Sequence, residues 1–348
     1  MKKRILVAPL NWGLGHATRC IPIINQLLRY NYTPVIASDG IALALLKKEF
    51  PDLETIALPA YDVTYAKKGH FFKWKLLKDS PKLIKAIKAE KKATKDLIET
   101  YNIDGIISDN RLGVHSKKIP SVFITHQLQV LSGNTTWLST KMHQRIIEKF
   151  NACWVPDHEN EPSLSGKLGH LDGIEIPIQY LGPLSRFERK SIETLYDITI
   201  LLSGPEPQRT LLETQLLNAF KTDTRRILCV RGVIEDEQTI TKNGNIKVYN
   251  FMTGKTLEHA LNSSEFVISR SGYTTVMDLS VLGKKAFFIP TPGQFEQEYL
   301  AERLDELDLV PHCKQDNFTI KKLDQLELYK GLDGQNTEID FKSLFSLF

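Results

Sequence analysis

The sequence has no window that approaches about 18 consecutive apolar residues, so an integral membrane protein with a spanning helix is not expected. Cysteine is scarce: Cys20, Cys153, Cys229 and Cys313 stand far apart, with no C-x-x-C and no His/Cys ligand spacing. Neither a disulfide framework nor a zinc cluster fits that distribution, and reduced, mostly buried thiols of a cytosolic protein do. The G-x-S-x-G elbow, the Walker lysine motif and H-E-x-x-H are all missing. The dinucleotide fingerprint G-x-G-x-x-G fails too, because Thr18 stands where its third glycine belongs, so nicotinamide and flavin chemistry have little support. No acidic pair of the D-x-D type follows a convincing strand, and no metal or other cofactor is expected. The net charge is only +4, which by itself gives no reason to expect nucleic acid as a partner.

What is present is an ordinary globular composition at about twice the length of a typical domain, 348 residues with 42% hydrophobic, so two domains are the default expectation. The chain goes from MKKR directly into ILVAPL, a run that reads as a first strand and is too short for a signal-peptide core. Short apolar runs then alternate with helical spacings. Strands are predicted at Ile5–Pro9, Val35–Ser38, Glu54–Leu58, Ile103–Ser108, Ser121–Thr125 and Cys153–Pro156, with helices over Ala17–Arg29 and Ile41–Phe50. Gln179 to Arg186 is rich in Gly, Pro and Ser, and a linker is expected near Gly182 to Glu188. Alternation resumes with strands near 197–202, 226–230 and 246–250. The predicted fold is α/β, two Rossmann-like doubly wound parallel sheets, with domains at 1–184 and 185–348. Beyond about Asp316 the pattern weakens. Phe341 to Phe348 reads either as a closing helix that packs back on the body or as a frayed tail.

The most informative stretch is Val267 to Leu304, VISRSGYTTVMDLSVLGKKAFFIPTPGQFEQEYLAERL, which reads strand, tight turn, helix, strand, turn, helix. Its turns fall at the carboxyl ends of strands, where such sheets bind ligands. Arg270, Ser271 and Gly272 combine a cation, a hydroxyl and a glycine before a helix, a combination suited to phosphate or pyrophosphate. Ser203 and Gly204, with Arg209, repeat the arrangement at the start of the second half, and Arg231 and Gly232 follow the next strand in the same manner. Phe251, Met252 and Thr253 follow the strand after that, where an apolar wall and backbone amides suit a flat base. In the first half, Gly13, Gly15 and His16 lie between the first strand and the first helix. Asp109 and His126 end two buried strands of the same sheet. A carboxylate beside an imidazole makes a competent general base, and His16 with Asp109 is the pair expected to do so.

Lys67 to Lys95 differs in composition, with eleven lysines against Asp79 and Glu90 and a scatter of Phe, Trp, Leu and Ile. Such a helix can lie on an anionic membrane, and it can equally be a solvated face packed on its own domain.

SRSGYTTVMDLSVLG, FIP and EQEY resemble, at matching spacing, the donor-site signature of the two-domain GT-B glycosyltransferases of the MurG type. GLGHATR is similar to that family's first loop, and THQLQ is a looser match to its second conserved turn. The resemblance implies a UDP-sugar donor, without metal, and an inverting transfer of a hexose or N-acetylhexosamine to an acceptor hydroxyl. By the same resemblance Ser271, Gly272, Thr274 and Thr275 surround the diphosphate, and Asp278 takes the place of a glutamate on the ribose. Gln297 and Glu298 fall where the family has two glutamines near the sugar. A lipid-linked or cell-envelope glycan acceptor and a cytoplasmic location at the inner membrane face follow from it as expectations. A UDP-sugar 2-epimerase of the same fold, or a silent nucleotide-sugar-binding protein, are the alternatives.

Overall fold

The computed structural model describes residues 2–61, 72–204, 206–233, 235–332 and 339–348, with side chains from residue 82 onward in the helix that begins at Phe72. The chain forms two compact units. The first comprises Met1–Thr64, Phe72–Leu184 and Thr337–Phe348, and the second Ser185–Asn336.

In the first unit the order is β1 (Arg4–Pro9), α1 (Gly15–Arg29), β2 (Thr33–Ser38), α2 (Gly40–Glu49), β3 (Thr55–Ala57), α3 (Phe72–Tyr101), β4 (Gly105–Asp109), β5 (Ser121–Ile124), α4 (Thr136–Ile147), β6 (Ala152–Val155) and β7 (Ile178–Tyr180). Seven parallel strands are arranged 3-2-1-4-5-6-7. The central strands are unbroken apolar runs, as strands buried on both faces must be. Ile5 to Pro9 and all of β4 and β5 are buried. Leu6, Ala8, Val35, Ala37 and Ile106 form one core, and Phe123, Leu128, Ile147 and Phe150 another. The strand order reverses between β1 and β4, so the connections after these two strands part there and leave a crevice at their carboxyl ends.

The second unit runs β8 (Tyr196–Leu201), α5 (Gln208–Ala219), β9 (Ile227–Val230), β10 (Ile240–Asn243), β11 (Ile246–Tyr249), α6 (Gly254–Asn262), β12 (Ser264–Ser269), α7 (Tyr273–Leu282), β13 (Lys285–Phe288) and α8 (Phe295–Glu306). Its sheet order is 10-11-9-8-12-13, parallel except for the edge strand β10, which pairs antiparallel with β11. The reversal here falls between β8 and β12. Both halves are therefore doubly wound α/β sheets, as the alternation of elements predicts.

One expectation is corrected, and two strands are added to the reading. Residues 337–348, assigned from the sequence to the second domain, belong to the first unit. A short helix, α9 (Phe341–Phe345), buries Phe345 and Phe348 near Trp154 and Tyr32, and Tyr32 Oη donates to the Phe345 carbonyl at 2.9 Å. Ile178–Tyr180, ahead of the expected linker, form β7 at the sheet edge, a strand that the sequence reading did not contain. Strand β10 was absent from the sequence reading altogether. The lysine-rich segment lies partly outside the described residues, at 67–71; from Phe72 it is helix α3, which buries Ala86, Glu90 and Thr94 and exposes Ile84. Among the described residues no helix is long and apolar enough to cross a membrane.

Candidate functional site

In the first unit the switch point carries an acid–base cluster. Pro9 ends β1, Gly13 turns the chain at φ +77°, and α1 starts at Gly15, which puts His16 in the first helical turn. Asp109 ends β4, the strand hydrogen-bonded to β1, and Pro9 and Asp109 are register partners. His16 Nδ1 therefore lies 2.8 Å from Asp109 Oδ1. Asp109 is fully buried, His16 keeps 16% of its side chain exposed, and its Nε2 makes no hydrogen bond among the described residues. Arg19 follows one turn later on the same face of α1 and donates to both Asp109 oxygens. His126, just past β5, completes the group, its Nδ1 3.1 Å from Arg19 Nη1.

These contacts set the charges. Burial would raise the Asp109 pKa, but Arg19 and His16 outweigh it and hold the carboxyl well below its ordinary range. For His16, burial and the Arg19 charge lower the pKa against the pull of Asp109, so the ring is neutral at pH 7 and able to accept a proton. Arg19 was not singled out in the sequence. Its spacing from His16 was the available signal.

A second buried network braces the loop in front of this cluster. Arg111, with no exposed side-chain surface, donates from Nε to Glu90 Oε1 (2.6 Å) and from Nη2 to Asp39 Oδ1 (2.6 Å) and the Pro59 carbonyl (2.9 Å). Asp39 in turn accepts from Asn11 Nδ2 at 3.0 Å, and Asn11 leads into Gly13.

In the second unit Ser203 and Gly204 follow β8, and Ser271 and Gly272 follow β12, the strands on either side of the reversal. Gly204 has φ +102°, an orientation glycine adopts without strain, and Ser203 and Gly204 are both exposed. A Cβ on Gly272 would meet nothing within 4 Å, so the space over the start of α7 is open. No side chain caps that helix, and Thr274 and Thr275, half-buried in its first turn, have hydroxyls without partners among the described residues. Uncapped amides, a glycine and two free hydroxyls form an arrangement that accepts an anion. Gly232 (φ +69°) lets the next strand end approach closely: a Cβ there would stand 2.4 Å from the Leu202 carbonyl oxygen.

Several predicted site residues also make bonds within the protein. Arg270 is 1% exposed, and its guanidinium donates to the carbonyls of Ile289, Pro290 and Gln208 and to Gln315 Oε1, at 2.7–3.0 Å. It ties together the ends of β12 and β13 and the start of α5, and cannot turn to a phosphate without breaking four bonds. Burial, with no carboxylate partner among the described residues, lowers its pKa to about 10. Arg209 is likewise held by Glu206 and Glu213. The Ser271 hydroxyl donates to the Gln297 carbonyl at 2.7 Å. Gln297 Oε1 accepts from Thr291 N and Glu298 Oε1 from Gly293 N, both at 2.9 Å, so these two side chains brace the turn before α8. Asp278, half-buried on α7, accepts from the Ser185 hydroxyl at 2.6 Å, and burial raises its pKa to about 6 against the opposing charge of Arg186. Phe251 and Met252 are buried at the end of β11 beside the start of α6.

Two doubly wound units, each with its polar cluster at the sheet reversal, have the fold of the GT-B glycosyltransferases. Residues 203–338 match the Glycosyltransferase family 28 C-terminal domain. The UDP-N-acetylglucosamine–N-acetylmuramyl-(pentapeptide) pyrophosphoryl-undecaprenol N-acetylglucosamine transferase of Buchnera aphidicola subsp. Schizaphis graminum is 25% identical over 68% of this chain. The chain spans 64% of the length of that relative. Among solved structures, Acinetobacter baumannii MurG aligns over 100% of this chain and 92% of its own at 16% identity, with a TM-score of 0.53. The calicheamicin glycosyltransferase aligns over 95% and 90% at 13% identity, with a TM-score of 0.63.

Proposed function

We propose that this protein moves a hexose or N-acetylhexosamine from a UDP-sugar to an acceptor hydroxyl, with inversion at the anomeric carbon and without a metal ion. The observation that carries the reading is the pair His16–Asp109: a neutral imidazole oriented by a carboxylate at 2.8 Å, with its other nitrogen unpartnered, on the C-terminal edge of a parallel sheet. His16 takes the proton of the acceptor hydroxyl as its oxygen attacks the anomeric carbon. The departing UDP carries the negative charge, and the open amides at the start of α7, with Thr274, Thr275, Ser203 and Gly204, stabilise it in place of a cation. Asp278 accepts from the ribose hydroxyls. Arg270 contributes by fixing the strand ends beneath the turn, and its positive charge, uncompensated by a carboxylate, favours an anion there.

The activity named for the Buchnera relative supports a UDP-linked amino sugar as donor and a polyprenyl-diphosphate-linked glycan as acceptor. The exposed Trp137, Leu138 and Met142 of α4, beside Lys141 and Arg145, support work next to the inner face of the cytoplasmic membrane.

The test is a thermal-shift screen of UDP-, GDP-, TDP- and CMP-sugars, followed by assay of UDP release with glycan acceptors. Stabilisation by UDP compounds alone, and acceptor-dependent UDP release, are the expected results. Indifference to every UDP compound sinks the donor assignment. Conversion of the sugar without acceptor makes the protein an epimerase.

A further inference from the structure

Beside the acid–base cluster, the first unit leaves a large apolar side chain in the open. Leu10 N, one residue past β1, donates to the Asp109 carbonyl at 2.9 Å, and the chain then runs through Asn11, Trp12, Gly13 and Leu14 into α1. Trp12 therefore stands on the crevice edge of the sheet, between the backbone bond to Asp109 and His16. Its side chain is 40% exposed and makes no hydrogen bond, ion pair or ring contact among the described residues. Ile41, in the first turn of α2, is 47% exposed. Asn11 joins the two segments: its Oδ1 accepts from Ala42 N at 3.2 Å, and a Cβ on Gly40 would stand 2.3 Å from its Nδ2. Trp12 and Ile41 are thus the exposed apolar residues of one loop cluster.

A single apolar side chain on a surface needs no explanation, but this one is carried by a braced loop. Asn11 Nδ2 donates to Asp39 Oδ2 at 3.0 Å, and Asp39 Oδ1 accepts from Arg111 Nη2 at 2.6 Å. Arg111 has no exposed side-chain surface and is paired with Glu90 of α3. Gly13, at φ +77°, turns the chain directly after the indole. A loop fixed in this way binds a ligand at a smaller cost in ordering.

The chemistry of the loop selects the occupant. An indole has an apolar face and one N–H donor at its edge, which suits a ring with a C–H face and hydroxyls around its rim. A pyranose whose substituents are equatorial is such a ring. From Leu10 to His16 there is no Lys or Arg, so the loop offers no cation to an anionic lipid headgroup. We propose that Trp12, braced through Asn11 and Asp39, is the platform on which a pyranose ring of the acceptor lies while its hydroxyl meets His16. Trp12 is then a specificity-determining residue, and the acceptor is a glycoside. The proposal rests on the transferase reading with His16 as base.

The experiment is NMR of the tryptophan indoles in the native chain, with the Trp12 signal assigned by Trp12→Phe. The probes are methyl β-glucoside and methyl β-N-acetylglucosaminide, with sorbitol as the control that has hydroxyls and no ring. The Trp12 signal should move with the glycosides and not with sorbitol. An indole indifferent to both glycosides, or moved equally by sorbitol, overturns the proposal. Asn11→Ala keeps the indole and removes its brace, so the shift should shrink; a full native shift overturns the role given to the brace. In the assay of acceptor-dependent UDP release, Trp12→Ala should raise the acceptor KM about tenfold and leave the donor KM unchanged, and Trp12→Phe, which keeps a ring face, should recover most of the loss. An unchanged acceptor KM, or an equal rise in both, also overturns it. Trp12 is exposed, so neither variant empties a core site. Absent UDP binding and UDP release with a responding indole would remove the transferase reading and leave a glycan-binding face. UDP release with a silent indole would remove Trp12 alone.

Discussion

His16 and Asp109 are 93 residues apart in sequence and 2.8 Å apart in space, and the whole separation is spanned by the pairing of β1 with β4. Replacing His16 with Ala removes the base and nothing that holds the nucleotide. Acceptor-dependent UDP release should fall about 10²–10⁴-fold, while the thermal shift produced by UDP stays near the native value. Undiminished release removes His16 from the base role. Asp278 gives a pH test of the other unit. Its carboxyl, raised to about 6, is ionised at pH 7.5 and becomes protonated as pH falls through 6. A neutral acid accepts more weakly from ribose hydroxyls than a carboxylate, so affinity for UDP-N-acetylglucosamine, whose diphosphate does not titrate in this range, should drop about tenfold between pH 7.5 and 5. Calorimetry across that interval checks it, and Asp278→Asn should flatten the profile. At this scale the sequence was partly legible. Residue type and strand-end position found His16, Asp109 and the Gly272 turn. They could not say which way Arg270 points, because its carbonyl partners at residues 208, 289 and 290 come together only in the folded chain. Arg19 escaped notice for the complementary reason: its partner Asp109 lies on another element.

Among the elements, the parallel strands were legible because burial on both faces demands continuous apolar runs, and the sequence shows them. Strand β10 was not, since all four of its residues, Ile240 to Asn243, are exposed and no core requires them. Its signal was the turn: Gly244 and Asn245, with Gly244 at φ +60°, are the two residues between β10 and β11, whose ends Asn243 and Ile246 are register partners. Helix α4 and the loop after β4 make a prediction about acid stability. His143, packed edge-on to Phe123, and His115, tilted against Phe150, both have pKa values lowered to about 4; burial is the main cause for each, and nearby lysines add to it for His115. In the unfolded chain each titrates near 6.5. Between about 6.5 and 4 the unfolded chain therefore binds more protons, and the stability these neutral rings contribute, complete above 6.5, is lost as pH falls through that window. Asp278 works in the opposite sense in the second unit, so the informative comparison is native against His143→Phe. The variant should lose less stability to denaturant between pH 7 and 4.5. Parallel losses would exclude His143 as a source.

On the scale of the whole molecule, the duplication of two doubly wound sheets was readable from alternation alone, since alternation is all that such a topology requires. The return of residues 337–348 to the first unit was not, because nothing in FKSLFSLF names its partner. The partner is a prepared surface. Gly105 in β4 leaves room that a Cβ would take from Phe348, at 2.3 Å from its ring, and Tyr30, Tyr32 and Trp154 surround Phe345 with ring centroids 5.7–6.3 Å away. Lys3 Nζ donates to the Phe348 carbonyl at 2.7 Å and Asp340 caps α9 through Ser343 N, so polar contacts fix the segment as well. Phe345 is 1% exposed, and its truncation to Ala should cost about 3–5 kcal/mol, the usual penalty for emptying a large aromatic site. The loss belongs to the unit that the segment packs on. Hydrogen exchange in Phe345→Ala should therefore quicken in β1, β2, β4 and β6, more than 150 residues upstream of the substitution, while β8, β9 and β12 exchange as in the native chain and UDP still stabilises the second unit. Faster exchange confined to the strands nearest in sequence, β12 and β13, would contradict the assignment of the segment to the first unit.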